Sequence, residues 1–177
     1  MRLIRIVLAT ASVALFSLPL AAQTSPATIP GRTVSHSLTL VVEGKPTVYS
    51  LADLAALPHI PVAVHNKRTN TDDVYSGVPL ASLLAAHGVT YTGGDVPLHK
   101  FLRCYIVAHS TDDYFVTFSS AEVFPDFHTG DVIVADSVNG KPIAVNGQLE
   151  LVSSEDKRPS RLVYSLAKII FLESPGE

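Results

Sequence analysis

Two groups of side chains in this 177-residue chain have the residue types that ligand binding requires. His65 and Asn66 lead into a polar segment, and a histidine in such a segment can hydrogen-bond a ligand or bind a metal. Lys157, Arg158 and Arg161 form a dense basic cluster, and side chains of this kind bind phosphate or sulfate. A surface loop and a solvated run of charges are the structural alternatives. These five residues are the candidate binding residues of the chain.

The other reactive side chains have spacings that favour structural roles. Cys104, the single cysteine, alternates with Ile106 and Ala108, which predicts a buried side chain rather than a displaced metal ligand or a reactive thiol. The paired aspartates at 72–73 and 112–113 lie in polar turns, and turn chemistry explains them better than acid–base catalysis does. The seven histidines show no HxH, HxxxH or HExxH spacing, and no GxSxG, P-loop or GxGxxG segment occurs. A zinc site and the hydrolase, NTPase and Rossmann classes are therefore not supported.

The N-terminal segment has the features of an export signal. Arg2 and Arg5 precede the uncharged apolar run Ile6–Leu20, and small residues follow it. We therefore predict a signal peptide over residues 1–23, a flexible leader rich in Pro, Thr and Ser over 24–35, and a periplasmic or extracellular location. Because Arg2 and Arg5 are not adjacent, the twin-arginine pair is missing. This predicts export of the unfolded chain, before a cytoplasmic cofactor is loaded.

Charge and hydropathy exclude further classes of protein. The chain has 13 basic and 16 acidic residues, and losing Arg2 and Arg5 with the signal leaves 11 against 16, a net charge of −5. This balance excludes a general nucleic-acid binder, which needs a basic surface to displace counterions from phosphate. The N-terminal apolar run is shorter than the ~20 residues of a comfortable membrane span. The mature chain is therefore predicted to have no membrane span.

The elements that must position these residues are short strands and shorter helices. Apolar alternation and continuous apolar runs predict strands at His36–Val42, Thr47–Tyr49, Ile60–His65, Leu102–His109, Tyr114–Phe118, Val132–Ala135, Leu149–Val152 and Lys168–Leu172. Capping signals and apolar spacing predict helices at Leu51–Leu57, at Leu80–His87 and after Ser119. The polar segment Asn66–Asp73 is predicted to be a loop. The pattern indicates one α+β domain over residues 36–174, a mixed β-sheet with short helices.

Four segments of this domain resemble, in order and spacing, the oxidoreductase molybdopterin-binding domain, which is the catalytic fold of the sulfite oxidase family. The segments are LVVEGKPTVYSLADLAALP (Leu40–Pro58), YSGVPLASLLAAHGV (Tyr75–Val89), YIVAHSTDDYFVTFSSAEV (Tyr105–Val123) and the stretch Asp131–Glu173. Together they cover nearly all of the predicted mature chain. The resemblance implies a molybdopterin-binding fold of the sulfite oxidase type.

The resemblance also implies a cofactor chemistry. In the family, molybdenum is held by a pterin dithiolene and by one cysteine thiolate from the segment before the second motif, since a soft, deprotonated sulfur suits such a metal. The corresponding segment here, Pro61–Ser76, contains no cysteine, and His65 and Asn66 occupy this region. Basic residues of the family in the region of the basic cluster face the anionic phosphate of the pterin. The chain thus lacks the residue that redox catalysis in the family most requires.

Two further positions differ from the family pattern. The family has Gly-Pro before the strand that precedes the basic region, whereas this chain has Gly147 and Gln148. A basic residue of that strand is replaced here by Glu150. Both differences favour a pocket that is not lined for the usual cofactor.

These observations predict an exported, non-redox binding module that kept the scaffold and lost the metal thiolate. No cofactor is expected, and the predicted ligand is a small anion, a pterin-like molecule or a partner protein. The alternative is a molybdenum–molybdopterin-dependent oxidoreductase that holds its cofactor through His65, Lys157, Arg158 and Arg161. A third hypothesis is a structural or interaction domain without a small ligand.

Overall fold

The computed structural model describes residues 32–67, 70–91, 97–144 and 147–175. The predicted signal peptide and residues 24–31 of the predicted leader lie outside the described residues. The strands are β1 (Ser37–Val42), β2 (Lys45–Ser50), β3 (Ile60–Asn66), β4 (Thr71–Pro79), β5 (Cys104–Ser110), β6 (Phe115–Ser119), β7 (Val132–Val138), β8 (Lys141–Pro142), β9 (Glu150–Ser153) and β10 (Leu166–Glu173). The helices are α1 (Leu51–Ala55), α2 (Leu80–Ala85), α3 (Leu98–Phe101), α4 (Ser120–Val123) and a 3₁₀ turn at Pro159–Arg161.

The first sheet joins the two ends of the domain. Its strand order is β2-β1-β10-β5-β6, and β1 pairs with β10 in parallel while its other pairs are antiparallel. Leu38, Leu40 and Val42 alternate with half-buried residues, so one face of β1 is buried and the other is partly exposed. The pairing of the first strand with the last closes the domain.

The second sheet is curled. Its strands follow the order β3-β4-β7, and both β8 and β9 pair with the far edge of β7. Neighbouring strands lie about 4.8 Å apart, so β3 and β9 would be well separated in a flat sheet. They are in contact, and the sheet therefore bends so that one of its faces becomes an interior.

Two apolar cores result from this arrangement. The larger lies between the two sheets and the short helices, and its members include Leu40, Leu83, Phe118, Leu151 and Leu166. The smaller lies inside the curled second sheet and consists of Val62, Ile133, Ala135, Ile143 and Val152. Side chains alternate between the two cores along β7 and β9, because successive residues of a strand point to opposite faces.

The predicted α+β class is confirmed, with one mixed sheet, one antiparallel sheet and few short helices. The predicted loop Asn66–Asp73 is wrong in part, because β3 extends to Asn66 and β4 begins at Thr71. Side-chain hydrogen bonds between the two strands join the polar residues of this hairpin. These residues therefore form strands without the alternating apolar pattern by which a strand is predicted. Helix α3 lies in a segment where no helix was predicted. Within the described residues, no helix is long and apolar enough to cross a membrane.

Candidate functional site

A cavity of about 510 Å³ lies at the open end of the curled second sheet. The ends of the β3–β4 and β7–β8 hairpins contribute Asn66, Asp73 and Asn139 to its wall. Lys141 is exposed at the mouth, whereas Glu150 is buried. The cavity is thus polar at its rim and ends on a buried carboxyl group.

Strand alternation explains why Glu150 faces this cavity. Its neighbours Leu149 and Leu151 belong to the core between the sheets, so Glu150 points to the opposite face of β9. It lies across from Ala135 in the ladder with β7, and Ala135 belongs to the core inside the curled sheet. Glu150 therefore extends an apolar interior, and only 4% of its surface is exposed.

The cost of burying the Glu150 carboxyl group is only partly offset by the groups around it. Burial raises its pKa to about 7, and the positive charge of Arg32 opposes that rise without cancelling it. Its Oε2 atom is buried and has no hydrogen-bond partner among the described residues. Most buried polar atoms in folded proteins are hydrogen-bonded, so such an atom beside a cavity marks a candidate binding site.

Arg32 connects the N-terminal side of the domain to this region. Its Nε and Nη2 atoms donate to Asp112 Oδ2 at 2.8 and 2.7 Å. The guanidinium carbon lies 5.3 Å from the centre of the Tyr164 ring, and Tyr164 lines the cavity. Asp112 thus neutralises Arg32, although Arg32 Nη1 is buried with no hydrogen-bond partner among the described residues.

Tyr75 and Tyr164 place two phenol groups in the cavity wall. Burial raises the pKa of Tyr75 well above its ordinary value, and the charge of Glu150 raises it further. Tyr75 therefore remains protonated at neutral pH. It contributes an aromatic surface and a hydroxyl group, and it leaves the charge of the cavity unchanged.

The rim of the cavity is held by a short hydrogen-bond network. Asp73 accepts from Asn66 Nδ2 and from Asn139 Nδ2, both at 2.9 Å, and these amide donors lower the pKa of Asp73. Asn139 Oδ1 in turn accepts from the backbone N–H of Val74 at 2.9 Å. The network joins the ends of two hairpins and keeps Asp73 ionised, so the rim carries a fixed negative charge.

The two predicted binding residues that lie on β3, His65 and Asn66, point to opposite faces of the strand. Asn66 lines the cavity, whereas His65 is its neighbour on the strand and points to the other face. There, His65 Nδ1 lies 2.8 Å from Asp72 Oδ1, and both side chains are more than half exposed. His65 therefore lies outside the wall of the cavity.

The basic cluster lies in the connection between β9 and β10, and its 3₁₀ turn contacts β9. Arg161 Nη1 donates to Glu122 Oε1 at 2.7 Å, Arg161 Nε donates to Asp156 at 3.1 Å, and the guanidinium carbon lies 4.4 Å from the centre of the Phe118 ring. Arg161 lowers the pKa of Glu122 against the opposing effect of burial. Lys157 and Arg158 are exposed. Arg161 is thus engaged in structural ion pairs, apart from the cavity that Asn66 lines.

Cys104 is buried, as its alternation predicts. It lies apart from the Glu150 cavity and from the basic cluster. Its thiol donates to the Lys100 carbonyl at 3.4 Å, and burial raises its pKa. It lines a separate, mostly apolar cavity of about 390 Å³ with Phe101 and Phe171. Its protonated, engaged thiol is typical of a structural cysteine.

Sequence reasoning did not find the residues that define the cavity. Glu150, Tyr75, Tyr164 and Arg32 were outside the predicted site, although Glu150 was noted as a departure from the family pattern. An acidic residue inside the apolar run 149–152 is the signal that would have identified it, because a charged residue is seldom buried without a partner.

The comparisons with known proteins assign no family to the chain. No protein-family model matches it, and no curated protein matches it significantly. Among the described residues, no three His, Cys, Asp or Glu side chains are grouped so that they could hold a metal ion. The functional interpretation therefore depends on the geometry of the cavity.

Proposed function

We propose that this protein is an exported, non-redox binding domain that takes a small ligand in the Glu150 cavity. The scaffold that we propose is the molybdopterin-binding fold of the sulfite oxidase type, which the four resembling segments support. The observation that carries the proposal is the buried, unpartnered Oε2 atom of Glu150 beside a cavity of about 510 Å³.

The energetic cost of this arrangement supports a binding role. A buried polar atom without a partner costs about 1 to 3 kcal/mol, and a fold has no reason to retain that cost at a purely structural position. The rim supports the same interpretation, because Asn66, Asp73 and Asn139 hold the mouth of the cavity in one arrangement without using Glu150. A ligand that fills the cavity would supply the missing hydrogen bond.

The residues present do not fit a pterin-bound molybdenum. The segment Pro61–Ser76 contains no thiolate, and Cys104 lies in another cavity with its thiol engaged. Arg161, which would face the pterin phosphate, is held by acidic side chains. The cavity wall instead includes the negatively charged Asp73 and the buried Glu150. This donor set favours the non-redox proposal over the oxidoreductase alternative.

The test is to identify what the native protein carries. The protein is purified from its own host and analysed for molybdenum by elemental analysis, for pterin by fluorescence after oxidation, and for other small molecules by mass spectrometry after denaturation. We expect neither molybdenum nor pterin, and a small molecule that is retained by the native protein but lost in Glu150→Ala.

A matched control distinguishes this cavity from the one that Cys104 lines. Glu43→Gln removes an exposed carboxylate that lines the Cys104 cavity, and this variant should retain the small molecule at the wild-type level. About one equivalent each of molybdenum and pterin would overturn the proposal. Equal retention of the small molecule by Glu150→Ala and the wild type would also overturn it, because the ligand would then bind elsewhere.

A further inference from the structure

From the charges around Glu150 we infer that the cavity selects a small nitrogen cation, an amine, amidine or guanidine, which donates to the Glu150 carboxylate. The inference rests on the proposed function, since it names the chemical class of the ligand for the same cavity. It replaces the small anion predicted from the basic cluster with a ligand of opposite charge.

The atom that lacks a partner, Glu150 Oε2, indicates what kind of group the cavity can bind. Glu150 Oε2 is a hydrogen-bond acceptor when the carboxyl group is ionised, and it is buried in a residue that is only 4% exposed. The best partner for a buried carboxylate is a charged N–H donor, because charge-assisted hydrogen bonds are about twice as strong as neutral ones. An anionic ligand would leave two like charges together in an apolar interior.

The charges in and near the cavity wall also favour a cation. Asp73 is kept ionised by two amide donors, and Arg32 is paired with Asp112. Lys141 is the remaining cation of the described wall, and it lies exposed at the mouth, where water screens it. The interior is therefore favourable to a positive charge.

The lining of the cavity also includes two aromatic rings. Tyr75 stays an uncharged phenol, and the Tyr164 ring already lies 5.3 Å from the guanidinium carbon of Arg32. An aromatic ring attracts a cation to its face. Ile143 and Val138 add an apolar surface for the body of the ligand. The cavity thus has the parts that bind an organic cation.

Protonation of Glu150 gives a distinctive signature of this binding mode. The free protein holds a proton on Glu150 at pH 6, because burial raises its pKa to about 7. The charged and titratable groups around it are Arg32, Asp73, Tyr75 and Lys141, with Tyr164 beside them. A cation that requires the ionised carboxylate must displace this proton, so binding at pH 6 should release close to one proton.

The test uses three probes of similar shape and different charge: benzamidine, benzamide and benzoate. Binding of each to the wild-type protein is measured by calorimetry and by chemical-shift titration at pH 7.5. We expect benzamidine to bind about tenfold more tightly than benzoate, and Glu150→Gln to weaken benzamidine binding about tenfold. Calorimetry at pH 6 in two buffers of different ionisation enthalpy should show the proton release in the wild type and not in the variant.

A second variant keeps the test valid if Glu150→Gln fails to fold. Lys141→Ala removes an exposed cation at the mouth, and we expect it to strengthen benzamidine binding about twofold and to weaken benzoate binding. Tighter binding of benzoate than of benzamidine would overturn the inference, as would benzamidine binding that neither variant changes. If none of the three probes binds at millimolar concentration, the inference fails, whereas the proposed function still stands if the native protein retains another ligand.

Discussion

Glu150 is the residue at which stability and the proposed function oppose each other. Its carboxyl group lies in an apolar interior with one oxygen unpartnered, so its ionisation costs the folded state free energy. A ligand that donates to the carboxylate would offset this cost. Two predictions at the residue scale, one for Glu150 and one for Arg161, can be measured without knowing the ligand.

The first is a dependence of stability on pH. Burial raises the pKa of Glu150 from 4.5 to about 7, so between these values the folded state holds a proton that the unfolded state has released. The free energy of unfolding therefore falls as the pH rises, by about 3 kcal/mol in total. Urea denaturation of the wild type and Glu150→Gln from about pH 5 to 8 should show a steeper fall in the wild type than in the variant.

The difference between the pH profiles of the wild type and Glu150→Gln separates the contribution of Glu150 to stability from that of His59. A hydrogen bond to Asp136 raises the pKa of His59 against desolvation, so His59 stabilises both proteins at low pH and loses this effect as the pH rises. Subtracting one pH profile from the other removes this shared term. Parallel profiles would show that Glu150 is ionised at little cost in the folded protein.

The second prediction concerns Arg161, which was predicted from the sequence to bind an anion. Arg161→Ala removes hydrogen bonds to Asp156 and Glu122 and the contact with the Phe118 ring, and we expect the free energy of unfolding to fall by about 1 to 2 kcal/mol. Lys157→Ala is the control, because Lys157 is exposed, and its effect should stay within about 0.5 kcal/mol. Equal effects of the two substitutions in urea denaturation would show that water screens the ion pairs of Arg161.

At the scale of elements, local signals predicted most of the strands and their caps. The Ser50–Asp53 and Ser119–Glu122 capping boxes form as predicted, since each needs only residues three positions apart. No strand was predicted over β4. It lies in the middle of the second sheet, and its pairing with both β3 and β7 compensates for its polar beginning.

Gly77 shows how closely β4 approaches β7. A Cβ atom at Gly77 would lie 2.2 Å from the backbone oxygen of Val134, in the strand that supports the cavity. We expect Gly77→Ala to lower the free energy of unfolding by about 3 kcal/mol, because the overlap is with backbone and cannot be relieved by a rotamer change. Thermal or urea denaturation measures this loss.

Gly44→Ala is the matched control for this substitution. Gly44 has a φ of +75° but open space around its missing Cβ, so only the left-handed backbone opposes alanine. The expected loss is about 1 to 2 kcal/mol. A smaller loss for Gly77→Ala than for Gly44→Ala would mean that β4 and β7 can separate without disturbing the sheet.

At the scale of the whole molecule, residues 32–35, which precede β1, are bound to the domain. Arg32 pairs with Asp112, the carbonyl of Thr33 accepts from Thr111 Oγ1 at 2.6 Å, and Ser35 is buried. These contacts bridge about 80 positions of the chain. Residues 32–35 therefore bring Arg32 to the region of Tyr164 and Glu150.

Deletion of this segment should destabilise the domain. A chain that begins at Ser37 leaves Asp112 without its partner, and we expect the free energy of unfolding to be about 3 kcal/mol lower than in a chain that begins at residue 24. Asp112→Asn in the longer chain should reproduce part of this loss. Identical denaturation midpoints for the two chains would show that residues 24–36 do not contribute to the folded state.

The sequence by itself determined the features that depend on near neighbours. Alternation predicted β1, β5 and the buried position of Cys104, and the capping signals predicted the starts of α1 and α4. These features are local because a strand's faces and a helix's cap depend on a few consecutive residues. The α+β class followed from their sum.

Only the tertiary structure decided the strand order and the location of the cavity. Asn66, Glu150 and Tyr164 line the same cavity although about 100 positions separate the first from the last, because the second sheet curls and places β3 near β9. The same packing places Arg161, in the connection between β9 and β10, beside Phe118 and Glu122. Pairing between distant strands depends on the burial of two cores at once, and no local pattern of residues contains that information.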